Sequence, residues 1–172
     1  MKLAKGLGEF FGLDIDTNAV RVVQLSRTGA GWSLSHYGYT PVDSKITSGD
    51  SPESKRRLGE AIMTAVGQAG IKTSNVAVGL PSNKTFSTII DVPKVPEQEL
   101  KAMMKYQIDQ YIPMSLDEAE VDWVLLGESL HAQNQYEILL TSTAKSYAEE
   151  RLELVENLGF NVIAEEPNAI AM

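Results

Sequence analysis

GLDIDTNAVRVVQL, residues Gly12 to Leu25, reads as two short strands joined by a polar turn. Phe11, Leu13 and Ile15 alternate with Gly12, Asp14 and Asp16, and after Thr17-Asn18 the residues Val20, Val22 and Val23 carry the chain back. Period-two alternation around an Asp-Thr-Asn turn is the mark of a β-hairpin. Two acids, a hydroxyl and several backbone N–H groups gather at its tip. Such a tip can hold a hydrated cation or curl its amides around a phosphate. An ordinary hairpin with solvated acids satisfies the same spacing.

Beyond the hairpin, Gly29 to Gly31 predicts a second turn and Trp32 to Thr40 a third strand, with Trp32 and Leu34 on one face and Tyr37 and Tyr39 on the other. Pro41 to Asp50 reads as a loop. A helix is expected from Ser51, its N-cap, through Pro52 to a left-handed stop at Gly70, with Leu58, Ile62, Ala65 and Val66 in its buried stripe. Val76 to Leu80 is an apolar strand ended by Pro81-Ser82. The rhythm changes at Lys84: Phe86, Thr88, Ile90 and Val92 face one way in a strand closing at Pro93. Pro96 opens a helix with Glu97 and Glu99 at its electropositive end, buries Leu100, Met103, Met104, Ile108 and Tyr111, and is expected to end at Pro113. Ala119 to Gly127 and Tyr136 to Thr141 are strands around a polar loop. A helix over about 144–158 follows, with Ala148, Leu152 and Val155 as its stripe and Gly159 as its stop, then a strand over Asn161 to Ala164. The first and last blocks make one mixed sheet with helices (1–82 and 135–172), interrupted by a small α+β lobe over 83–134. Pro167 to Met172 resembles the uncapped first turn of a further helix, so the polypeptide is expected to continue beyond Met172.

Composition sets outer limits. A chain of 172 residues with 43% hydrophobic content can bury a real core. A formal charge of −8 argues against nucleic acid or an anionic membrane as main partner. No apolar run approaches the ~20 residues of a bilayer span. The start, MKLAKGLGEFF, is basic and faintly amphipathic but too short and too charged for a secretion signal, and reads as a packed or frayed N-terminal turn, with weak membrane contact the lesser alternative. With no cysteine, disulfides and thiolate metal sites are excluded, and a cytoplasmic setting is expected. His36 and His131 are the only imidazoles, and nothing in the sequence pairs them.

GLDIDTNAVRVVQLS resembles the first phosphate hairpin of the actin-like ATPases, in the form found in the PilM family of type IV pilus assembly proteins. AVGLPSNKTFSTIIDVPKVPEQEL, followed by IDQYIPMSLDEAEVDWVLLG, resembles that family's inserted subdomain. Its helix ends in a Gln-Tyr-Ile-Pro segment, matched here by Asp109 to Pro113. YEILLTSTAKSYAEERLELVENLGFNVIAEEPNAIAM resembles the elements that return to the main lobe.

The resemblance implies an actin-like (ribonuclease H-like) α/β fold, related to the division protein FtsA, and the first half of a longer protein. It implies a cytoplasmic adaptor at the inner face of the membrane that binds ATP and receives the N-terminal cytoplasmic peptide of a bitopic PilN-like protein between its two lobes. Asp14, Asp16, Thr17, Asn18 and Arg21 match the nucleotide phosphate and metal end of the hairpin. Gln107, Gln110, Tyr111 and Pro113, at the end of the inserted helix, are the candidates for the peptide groove. Asp16 departs from the family, which usually has Gly there; a carboxylate facing a triphosphate adds bulk and repulsion of about 1 kcal/mol or more. Arg21 stands where Lys is common. ATP and Mg are therefore expected only in a longer protein, with no catalytic residue, dedicated metal site or measurable ATP binding in this chain alone.

Two other functions share the fold. A kinase-type ATPase would need a catalytic acid, but Glu165 and Glu166 are adjacent in a strand and point to opposite faces. An FtsA-like division anchor would need polymerisation and a membrane helix. An actin-like half that exposes apolar surface is expected to dimerise or exchange elements.

Overall fold

The computed structural model describes residues 8–29 and 31–168. The chain folds as two compact units, one made of Met1–Pro81 with Glu150–Met172 and the other of Ser82–Glu149.

In the first unit, strands β1 (Phe11–Ile15), β2 (Ala19–Thr28), β3 (Gly31–Pro41), β4 (Asn75–Leu80) and β8 (Asn161–Pro167) form one sheet in the order β3-β2-β1-β4-β8. β1, β4 and β8 run parallel, and β2 is antiparallel to both β1 and β3. Alternation drives the layering. Phe11, Leu13 and Ile15 on β1, Val20 and Val22 on β2, and Val76 and Val78 on β4 point to one side, where helix α2 (Pro52–Ala69) supplies Leu58, Ile62, Ala65 and Val66. Each fully buried side chain of this kind stabilises by roughly 1.5–3 kcal/mol. α2 begins and ends as its sequence predicts: the Ser51 hydroxyl accepts the Ser54 N–H at 3.1 Å, and Gly70 takes φ 71°. Helix α4 (Lys145–Asn157) contributes Val155 to the same core, and Phe160 meets Phe11 edge-on at 5.4 Å.

In the second unit, β5 (Thr85–Pro93), β6 (Ala119–Glu128) and β7 (Gln135–Ala144) form an antiparallel sheet in the order β5-β7-β6. Helix α3 (Glu97–Gln107) lays Leu100 and Met104 into a core with Ile90, Val92, Ile138 and Leu140. Half-buried Met103 and Tyr111 pack on its margin.

Four expectations are corrected. The second unit extends to Glu149 rather than stopping at 134, because β7 is the middle strand of the second sheet; its apolar run fits any buried strand, and periodicity could not say which sheet it joins. The loop over 41–50 contains a four-residue helix, α1 (Ser44–Thr47), capped by the Asp43 side chain. α3 stops at Gln107 and yields to a 3₁₀ turn over Ile108–Gln110, so Pro113 does not itself terminate it.

The fourth correction concerns β3. Gln24 pairs with His36 but Leu25 pairs with Leu34, leaving Ser35 as a bulge whose hydroxyl donates to the Gln24 carbonyl at 2.8 Å. The extra residue shifts the alternation by one. Trp32, Leu34, Tyr37 and Tyr39 therefore share one face instead of dividing between two. The expected helical turns over 1–11 and 167–172 lie mostly outside the described residues; Phe11 and Pro167 themselves belong to strands.

Candidate functional site

The sheet of the first unit has a helix-covered side and an open side. On the open side the central strands carry small residues, Gly12 on β1 and Ala77 and Gly79 on β4, while β2 and β3 carry Val23, Leu25, Trp32, Leu34, Tyr37 and Tyr39, all more than 40% exposed. A shallow cavity of about 230 Å³ lies over the small residues, bordered by Asp14, Arg21, Glu166 and Asn168. A larger groove of about 630 Å³ between α2 and α4 is lined by Lys55, Arg56, Glu60, Thr64 and Asn157 around Met63, Leu154 and Leu158, and it contains none of the residues predicted for the site.

The β1–β2 hairpin brings four of its five predicted site residues into one network. The register sets Asp14 opposite Arg21, and one guanidinium nitrogen of Arg21 donates to Asp14 Oδ2 at 2.8 Å and to Asp16 Oδ2 at 3.1 Å. The Thr17 N–H donates to Asp16 Oδ1 at 2.7 Å, and the Asp16 N–H closes the turn on the Ala19 carbonyl at 2.9 Å. The Thr17 amide first, and Arg21 second, hold the Asp16 carboxyl below its usual range. The same contacts from Asp14 and Asp16 push Arg21 upward, so the guanidinium stays charged. Its Cζ also lies 6.0 Å from the Tyr39 ring centre, within reach of a cation–π attraction. Asn18 stands apart from this cluster; its carbonyl accepts the Val42 N–H at 2.9 Å and ties the turn to the end of β3.

Three residues of this site were not foreseen. Asn168, just past β8, donates its side-chain amide to Asp14 Oδ1 at 3.2 Å. It lies so close over Gly79 that a Cβ there would meet its Oδ1 at 2.5 Å. Thr47 in α1 is buried, and its hydroxyl donates to the Thr17 carbonyl at 2.7 Å. Arg151 in α4 is buried and donates to the Thr47 carbonyl at 2.8 Å. A line of hydrogen bonds thus runs from α4 through α1 to the hairpin tip. Arg151 had a visible signal, since it falls between Ala148 and Val155 on the helix's buried stripe. Asn168 lies 154 residues from its partner, and no local pattern links them.

Glu165 and Glu166 take opposite sides of β8 as expected. Glu166, paired with Gly79, borders the cavity, whereas Glu165 pairs with core-facing Val78. Among the described residues no cluster of three or more histidine or acidic side chains could hold a metal ion. The second set of predicted residues follows α3. Gln110 and Pro113 are exposed, Gln107 and Tyr111 are half-buried, and Ile108 and Ile112 are buried in the second unit's core.

A mixed five-stranded sheet opened by an acidic hairpin, with a small α+β unit inserted before its last strand, defines an actin-like fold. It is shared by the PilM component of a PilM–PilN type IV pilus biogenesis complex (TM-score 0.77, 19% identity, covering 95% of this chain and 48% of that one). It is shared also by the cytoplasmic domain of EpsL, an inner-membrane component of the type II secretion system of Vibrio cholerae (TM-score 0.56, 14% identity, covering 96% of this chain and 59% of that one). The chain spans about half the length of the first of these and about three fifths of the second. The family model for type IV pilus assembly protein PilM matches residues 12–165, and the chain belongs to that family. No helix among the described residues is long and apolar enough to cross a membrane.

Proposed function

We propose that this chain acts as a scaffold in type IV pilus assembly, at the cytoplasmic face of the inner membrane. Its partner in this reading is the N-terminal cytoplasmic segment of a bitopic PilN-like protein. The observation that carries the reading is the family match, supported by structural similarity to a PilM–PilN complex over nearly the whole chain.

The surface offered by Gln107, Gln110, Tyr111 and Pro113 suits an extended peptide: it combines the exposed amide of Gln110 and a proline with half-buried Gln107 and a half-buried ring beside a firm apolar core. Fluorescence anisotropy with a labelled N-terminal peptide of the PilN-like partner tests this. Gln110→Ala combined with Pro113→Ala leaves the core untouched and should weaken binding at least fivefold. Undiminished binding would remove these residues from the groove, and no binding by the unaltered chain would refute the adaptor reading.

The open aromatic face supports a second reading, pairing of two copies. Three aromatic rings of roughly 200 Å² each, more than half exposed, already give about 350 Å² of apolar surface, near the largest patch of an ordinary monomer. Val23, Leu25 and Leu34 enlarge it. Sedimentation equilibrium should show a dimer that Trp32→Lys with Tyr37→Lys abolishes; a monomer at all concentrations would refute the pairing.

A further inference from the structure

The actin-like fold implies a nucleotide whose phosphates sit, with magnesium, at the first hairpin. The residues here do not fit that group as they stand. All four carboxylate oxygens of Asp14 and Asp16 already accept N–H donors of this same chain. Asp16 takes the Thr17 amide on one oxygen and Arg21 on the other; Asp14 takes Arg21 on one and Asn168 on the other. Of the groups that would seek an incoming anion, the Thr17 amide is thereby taken and one nitrogen of the Arg21 guanidinium is shared between two carboxylates. Two carboxylates against one guanidinium also leave the tip with a net negative charge, which opposes a phosphate. A magnesium ion would have to share carboxylate oxygens that already accept these donors.

We infer that Asp16 is a resident stand-in for a phosphate and the residue that makes this hairpin reject phosphoanions. Its carboxylate occupies the Thr17 amide and bridges to Arg21, as a bound phosphate oxygen would. The lowered pKa of Asp16 agrees with this, since the Thr17 amide and Arg21 both favour its charged form. The inference rests on the fold and the hairpin geometry, and it stands or falls separately from the peptide-binding proposal.

The test uses the whole chain and inorganic tripolyphosphate, a probe that needs no adenosine pocket. The Thr17 amide is followed by ¹H–¹⁵N NMR. In the unaltered chain its resonance should ignore millimolar tripolyphosphate and should track the ionisation of Asp16 on acid titration. Asp16→Gly frees the amide and leaves Arg21 held by Asp14 alone, so the resonance should respond to the probe with at least tenfold tighter apparent affinity. Asp16→Asn keeps an acceptor for the amide but removes the charge, so it should fall between the two and lose the acid titration. Two results overturn the inference: an unaltered chain that responds as strongly as Asp16→Gly, or a folded Asp16→Gly whose Thr17 amide stays silent.

Discussion

The packing of α2 on β3 can be tested at one residue. A Cβ built on Gly38 would lie 2.5 Å from the Ala65 carbonyl oxygen, 3.0 Å from Val22 Cγ2 and 3.1 Å from Ala69 Cβ. The nearest of these belongs to the helix backbone, so relief requires α2 to shift rather than a side chain to rotate. Overpacking of this kind costs typically about 1–3 kcal/mol, and a backbone obstacle places it near the upper end. Replacing Gly by Ala also stiffens the unfolded chain, which returns about 0.4–1 kcal/mol. Gly38→Ala should therefore destabilise the first unit by roughly 2 kcal/mol net. Gly67 in α2 is the natural control, because a Cβ there meets nothing within 4 Å. Gly67→Ala should stabilise by roughly 0.5–1 kcal/mol, the ordinary penalty of glycine inside a helix. Urea unfolding followed by far-ultraviolet circular dichroism measures both. A neutral or stabilising Gly38→Ala would refute the close approach of α2 to β3.

Two further outcomes follow from the polar contacts. Thr47→Val removes the donor to the Thr17 carbonyl and should cost about 1–2 kcal/mol, with faster hydrogen exchange at the Asp16 to Ala19 amides; unchanged exchange there would show that α1 does not brace the hairpin. Glu53 is lowered to about 2 by its hydrogen bonds from Arg56 and Arg57, so its stabilising effect is present above the ordinary carboxylate pKa and lost as the pH falls through the folded value. The helicity advantage of the unaltered chain over Glu53→Gln should hold at pH 6 and vanish near pH 2; an advantage that persists there would contradict the assignment.

Local signals with a single physical cause were legible in the sequence. Ser51 and Gly70 bound α2 because a hydroxyl cap and a left-handed residue act within one helical turn. The β1–β2 hairpin was legible because Leu13 and Ile15 must share a face with Val20 and Val22. The spacing of Asp14, Asp16, Thr17 and Arg21 puts them at one hairpin tip, but their mutual pairing was not legible, since it depends on which rotamers close the distances. What could not be read depends on non-local choice. Nothing in Tyr136 to Thr141 says which sheet the strand completes, and α1 is too short to show a period. Asn168 reaches Asp14 only because β8 joins the sheet beside β4.

Ser35 has a consequence out of proportion to its size. Because side chains in a strand repeat every two residues, drawing it into the ladder opposite Leu25 would turn the segment before it half a revolution. Trp32 and Leu34 would then press into the helical layer, and Ser33 would look outward. One unpaired serine thus sorts greasy from polar across half a strand. A slip of register at this spot would recast the molecule's sociability without altering a single aromatic residue.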